Sequence, residues 1–210
     1  MRLTIFLEAA LLLPAAAQNR ERRGEPGRFD SYLLSLSWSP AYCATQGGAW
    51  NDAQCAPGRR FAFVLHGLWP QYDNGRWPQF CSEEPGLRNA QSMLDIMPSL
   101  SLIRHEWQKH GTCTGLAAEA YFALARKAFE SIRIPARFQA PKEYLVVSPA
   151  EVAREFQAAN PGVTAESLSV QCSSNSLSEV RICLDQNLRP VACEGQRSCR
   201  APEVRMPPVR

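Results

Sequence analysis

His105-Glu106-Trp107-Gln108-Lys109-His110-Gly111-Thr112-Cys113 opens with two imidazoles, a carboxylate and an ammonium within six residues. With the residues before it, this run predicts a helix over Ser101–His110 that stops at Gly111. On such a helix Glu106, Lys109 and His110 share one face, and His105 meets it through Lys109, four residues on. The third histidine, His66, lies in Val64-Leu65-His66-Gly67-Leu68-Trp69-Pro70, where it ends an apolar stretch, Phe61–His66, of strand length. Three histidines confined to two short segments gather the near-neutral proton chemistry of the chain in one place.

The surrounding elements set the fold class. Tyr32–Trp38, Tyr144–Val147, Leu168–Cys172 and Val180–Leu184 read as strands. Ala90–Met97 reads as a short helix stopped by Pro98. Leu116–Ser131 reads as a longer one, with Tyr121, Leu124, Ala125 and Phe129 at helical spacing. Ser148-Pro149-Ala150-Glu151 opens a further helix with a capping box and a proline at the first helical position. Helices gathered in mid-chain between strands predict an α+β single domain, a central antiparallel β-sheet with several packed helices. The chain has 210 residues, 45% of them hydrophobic, which suits one domain with a full core. The proline-rich run 201–210 predicts a loosely held tail.

The first residues read as a secretory signal. Arg2 precedes an apolar run through Leu13, and Ala15-Ala16-Ala17 offers small residues for cleavage, so 1–17 is expected to be removed. Residues 18–28 are polar and arginine-rich and predict a disordered lead-in to a domain over 29–200. No run approaches the roughly 20 apolar residues of a membrane helix, so no membrane anchor is expected. The cysteines are Cys43, Cys55, Cys81, Cys113, Cys172, Cys183, Cys193 and Cys199. An even, high count behind such a start predicts a disulfide-stapled, secreted or periplasmic protein. Spacing alone leaves the pairing open. The net charge of +3 fits a polyanionic partner and identifies none.

The motif itself narrows the chemistry. A spacing of five turns the second imidazole by about 140° around the helix, and Lys109 sits between, so capture of a metal by His105 and His110 fails. No metal and no cofactor are expected. Each residue alone has a bland reading: His66 as a satisfied core histidine, Glu106 and Lys109 as a surface pair worth about 0.2–0.5 kcal/mol, Trp107 as core. Together they form a cluster that moves protons and stabilises negative charge. A phosphodiester with its own nucleophile, the ribose 2′-OH of RNA, matches that equipment. An RNA-binding protein without activity and a metal-dependent hydrolase are the rival classes. The complete proton-handling set counts against the first, and the histidine spacing against the second.

Phe63-Val64-Leu65-His66-Gly67-Leu68-Trp69-Pro70 and His105–Cys113 together resemble the two catalytic segments of the ribonuclease T2 family. Leu36-Ser37-Trp38-Ser39-Pro40 with Tyr42-Cys43, and Glu179-Val180-Arg181-Ile182-Cys183-Leu184-Asp185, resemble its first and late strands, so the likeness runs from about Ser31 to Cys199. The resemblance implies an endoribonuclease acting on single-stranded RNA through a 2′,3′-cyclic phosphate to 3′-phosphate ends. It implies catalytic roles for His66, Glu106, Lys109 and His110 and phosphate binding by His105. By that analogy His110 is the base and His66 the acid; the sequence leaves the reverse assignment open. Trp69 and Trp77 resemble aromatic walls around the base on the 5′ side, with Tyr72 in the same loop as a further base-binding candidate. Gln71 stands where members with a base preference can carry an acidic residue, which implies broad base tolerance. The family pattern also implies disulfides Cys43–Cys55, Cys81–Cys113, Cys172–Cys199 and Cys183–Cys193. The expected enzyme is a monomer.

Overall fold

The computed structural model describes residues 24–45 and 53–209; the expected leader over 1–17 and the first part of the lead-in lie outside the described residues. Strand β1 (Ser31–Trp38) leads through a short helix α1 (Ser39–Cys43) to β2 (Phe63–Gln71). Helices α2 (Leu100–Lys109) and α3 (Ala118–Glu130) follow, then β3 (Leu145–Val147), α4 (Pro149–Ala159), β4 (Leu168–Ser173), β5 (Ser176–Leu184) and β6 (Val204–Met206). The sheet has six strands in the order β2-β1-β5-β6-β3, with β4 also paired to β5. Its pairings are antiparallel except for a parallel bridge between β5 and β6. The expected α+β domain is therefore present.

Alternation along β1 divides the sheet into two faces. Tyr32, Leu34, Leu36 and Trp38 are buried in one core with Val180, Ile182 and Leu184 of β5, with Tyr121, Phe122 and Ala125 of α3, and with Val152 and Phe156 of α4. The intervening positions, Leu33, Ser35 and Ser37 of β1 with Glu179 and Arg181 of β5, fall on the opposite face. Ser148 accepts the Glu151 N–H at 3.1 Å with Pro149 at the first turn, so α4 begins where its capping signal lies.

Several boundaries differ from expectation for local reasons. β2 continues past His66 to Gln71, although it contains Pro70. It lies at the sheet edge, where a missing N–H is tolerated. Between Ser35 opposite Gly67 and Leu36 opposite Leu65 the register shifts, so His66 is the extra residue of a β-bulge. The Ala90–Met97 helix reduces to a 3-10 turn, Ala90–Met93. Ser174 and Asn175 both adopt positive φ, and the two-residue turn they form joins β4 to β5 directly. Gly111 is no left-handed stop. It opens a 3-10 turn, and a Cβ there would lie 2.4 Å from Trp107, so the site needs glycine for close packing.

Four disulfides, Cys43–Cys55, Cys81–Cys113, Cys172–Cys199 and Cys183–Cys193, are formed, the pairs implied by the family resemblance. Cys81–Cys113 fastens the loop after β2 to the end of α2, where Phe80 N–H also donates to the Lys109 carbonyl.

Residues 24–28 and the stretch after Arg200 are better held than their composition predicts. At the start, Gly27 N–H donates to the Cys113 carbonyl at 2.9 Å, and Arg28 pairs with Glu25, so the lead-in is ordered from Gly24 onward. At the other end the expected loose tail instead supplies β6. Val204 and Met206 are buried in the core, and the Trp38 indole N–H donates to the Pro207 carbonyl. The alternating Val204-Arg205-Met206 explains this, since two apolar side chains on one face outweigh the flanking prolines. A chain ended after Glu203 loses the buried side chains of Val204, Met206 and Val209, together with the buried Pro207 and Pro208. It is expected to lose on the order of 5 kcal/mol in urea unfolding, and an unchanged midpoint would return the tail to the surface.

Candidate active site

The bulge turns His66 onto the face of the sheet that carries Glu179. His66 Nδ1 lies 2.6 Å from Glu179 Oε1, and its Nε2 lies 3.6 Å from Glu106 Oε1. Glu179 is held in turn by the Arg181 guanidinium at 2.7 Å and by Ser37 Oγ at 3.4 Å. Burial alone would push the His66 imidazole down. The Glu179 hydrogen bond and the Glu106 and Glu179 charges outweigh it, so its pKa stands above the ordinary imidazole value. Burial would likewise raise Glu179, but His66 and Arg181 bring it down to about 2. The pairing favours an imidazolium beside a carboxylate.

Glu106 reaches the same place from α2. It is 1% exposed, and its Oε2 accepts the Trp69 indole N–H at 2.6 Å. The approach passes over Gly67, where a Cβ would stand 2.1 Å from Glu106 Oε2 and 2.3 Å from Trp69 Nε1. Burial drives the Glu106 carboxyl up to about 7, with the His66 charge and the Trp69 bond opposing. One turn on, His110 caps α2 with its N–H on the Glu106 carbonyl. Its ring stacks against Trp69 at 5.2 Å, and its Nδ1 is buried without a hydrogen-bond partner among the described residues. Burial first, then the Lys109, His105 and His66 charges, drive the His110 pKa down to about 2. The two imidazoles are therefore shifted in opposite directions, His66 toward its charged form and His110 toward its neutral one.

His66, Trp69, Trp77, His105, Glu106, Lys109 and His110 all line one cavity of about 250 Å³. Tyr72 does not. It lines a separate cavity of about 740 Å³ that also includes Trp77. A third cavity, of about 410 Å³, lies on the His66 and His105 side and includes Ser37, Gln54 and Leu102. Arg181 and Gln196 line the histidine-bearing cavity although the sequence reading gives them no role, and it places Glu179 only on a strand. Arg181 lies 5.2 Å over the Trp69 ring and bonds Gln196. A signal for both charges existed: Glu179 and Arg181 alternate with Val180 and Ile182 on a strand buried on its other face.

The sequence profile described as Ribonuclease T2 family matches residues 29–193. This chain belongs to that family. Ribonuclease DdI of Dictyostelium discoideum is 31% identical and aligns over 89% of each chain. A ribonuclease of Aeromonas hydrophila is 41% identical over 60% of this chain, and the match spans little over half, 56%, of that relative. The ribonuclease T2 fold is also seen in solved structures. RNase NT in complex with 5′-AMP superposes with a TM-score of 0.64 at 26% identity, covering 86% of this chain and 99% of that one.

The Gly67 crossing makes a sharp test of the geometry. Gly67→Ala is expected to force Glu106 and Trp69 apart and to cost about 1–3 kcal/mol in thermal unfolding. A variant as stable as the parent would mean that the strand and helix do not meet this closely.

Proposed function

We propose that this chain is an endoribonuclease that cleaves single-stranded RNA by metal-independent acid/base transphosphorylation, with broad base tolerance. The observation that carries the reading is the pair of imidazoles lining one cavity, with pKa shifts in opposite directions. His110, neutral, takes the proton of the 2′-OH, and the freed oxygen attacks phosphorus. The P–O5′ bond breaks as His66 gives its proton to the departing 5′-oxygen. The product is a 2′,3′-cyclic phosphate. Water then opens it to a 3′-phosphate, with the two histidines exchanging roles. Lys109 and the neutral form of Glu106 hold the charge that develops on the phosphoryl oxygens, and His105 binds the phosphate. Glu179 is a positioning residue, fixing the His66 ring and keeping it charged.

Trp77, 47% exposed, and Trp69 wall the base on the 5′ side. Gln71 presents a neutral amide where an acidic residue would present a charged acceptor, and its N–H is turned to the Pro70 carbonyl at 2.9 Å, which supports base tolerance. The ribonuclease named in Aeromonas and the nucleotide held by RNase NT support the substrate class. Four disulfides behind a signal-like start support an extracytoplasmic site of action.

Digestion of single-stranded RNA in EDTA is expected to yield cyclic phosphate ends, with activity lost by about 10²–10⁴-fold in His110→Ala, the usual general-base contribution. Cleavage abolished by EDTA in the parent would place the chemistry on a metal. No cleavage with tight RNA binding would leave a binding protein on a ribonuclease scaffold.

The pH dependence follows from the same groups. The base stays neutral down to low pH because its pKa is depressed, and the acid loses its proton only above its raised pKa. Activity is expected to persist into the acidic range and to fall on the alkaline side. A kcat/KM profile rising steadily to pH 9 would contradict the assignment. Glu179→Gln removes the charge that raises His66, so it is expected to move the alkaline limb to lower pH. A merely structural role would lower the rate without moving that limb.

A further inference from the structure

Trp77 lines both the catalytic cavity and the larger neighbouring one, and it belongs to neither the core nor a crossing helix. The neighbouring cavity is lined by Tyr72, Asp73, Asn74, Arg76 and Gln79 together with Gly24 and Asp30. Its volume of about 740 Å³ falls in the range of small-ligand sites. The loop that forms it is pre-shaped. Tyr72 N–H donates to the Arg76 carbonyl at 2.8 Å, Gly75 N–H to the Tyr72 carbonyl at 3.1 Å, and Arg76 N–H to Asn74 Oδ1 at 3.0 Å. Asp73 N–H donates to Asp30 Oδ2, which ties the loop to the start of β1. Gly75, at φ +75°, packs against Gly195, where a Cβ would lie a tight 3.2 Å from the Gly75 Cα, and Gln196 beside it lines the cavity that holds the histidines.

We propose that this second cavity is a binding subsite for the RNA nucleotide immediately 5′ of the one whose 2′-OH attacks. The inference rests on the catalytic reading above, which fixes the direction of the strand. His66 protonates the departing 5′-oxygen, so the downstream strand leaves on the His66 side. The upstream strand leaves past Trp77, into the cavity that Tyr72 and Arg76 line. Aromatic rings at the shared wall give a stacking surface of the kind that holds successive bases of a single strand. Arg76 offers a cation to a phosphate, and the Asp73 carboxylate with the Asn74 and Gln79 amides faces the polar edge of a base. With a single arginine against two carboxylates in the lining, the subsite draws its affinity from the base more than from the phosphate.

Short oligoadenylates test it. The dinucleotide ApA is compared with two trinucleotides of equal length and charge, each with one bond left cleavable by 2′-O-methylation (Am): AmpApA, extended on the 5′ side, and ApAmpA, extended on the 3′ side. The parent protein is expected to cleave AmpApA with a kcat/KM about tenfold above ApA, equivalent to about 1.4 kcal/mol. The double variant Arg76→Ala, Gln79→Ala is expected to lose that gain while cleaving ApA and ApAmpA as the parent does. Equal rates for ApA and AmpApA, or a gain that survives in the variant, overturn the subsite. If ApA, AmpApA and ApAmpA are all left intact, the catalytic reading has failed. Trp fluorescence titration with the uncleavable AmpAmpA and AmpA then decides the subsite alone: about tenfold tighter binding of the trimer, lost in the variant, upholds it, and equal affinities overturn it.

Discussion

The site depends on how closely β2 and α2 approach at Gly67. A carboxylate from the helix is laid over the strand backbone and accepts the indole N–H of Trp69, two residues further along the same strand. Any side chain at 67 would occupy the space of the bond itself. The contact fixes the spacing between an imidazole carried by the strand and one carried by the helix, because Glu106 lies beside the first and its carbonyl accepts the N–H of the second. It also buries the carboxyl, and burial is what makes that group titrate near neutrality. The Cys81–Cys113 bridge and the Phe80 bond to Lys109 hold the end of the same helix from its other side.

Two carboxylates flank His66, and their environments differ. Glu179 has the Arg181 guanidinium behind it, which with His66 holds its pKa low; Glu106 has the Trp69 indole N–H and the His66 and Lys109 charges, and burial outweighs them. One imidazolium is thus stabilised by a permanent anion on one side and a switchable one on the other. His110, with its Nδ1 buried and the positive charges of Lys109, His105 and His66 around it, is kept uncharged. The same few residues set both states. Charge separation between two chemically identical side chains is here a property of the burial pattern, not of sequence distance.

Much of this was legible in the chain and some was not. The two histidine segments stand out because their residue types are rare and clustered, and the capping box at Ser148 reads directly. The fold class followed from periodicity. Hidden parts depended on tertiary context. The bulge at His66 exists only against β1, so a strand that looks finished at His66 continues to Gln71. Glu179 and Arg181 look like solvated strand residues until β1 and β2 bring the bulged histidine over them. Tyr72 and Trp77 line the second cavity together, and of the two only Trp77 also reaches the cavity that holds the histidines, a distinction that sequence proximity does not show.

The position of β6 divides the sheet in time as well as in space. β2, β1, β5 and β4 pair among themselves, so every strand that bears the site is available once residue 184 has been synthesised. β3 joins the sheet only through β6, whose residues come some sixty positions later in the chain. A chain emerging from its N-terminus can thus pair the strands that bear the histidine site before β6 is made. β6 then acts as a clasp, drawing β3 into the sheet.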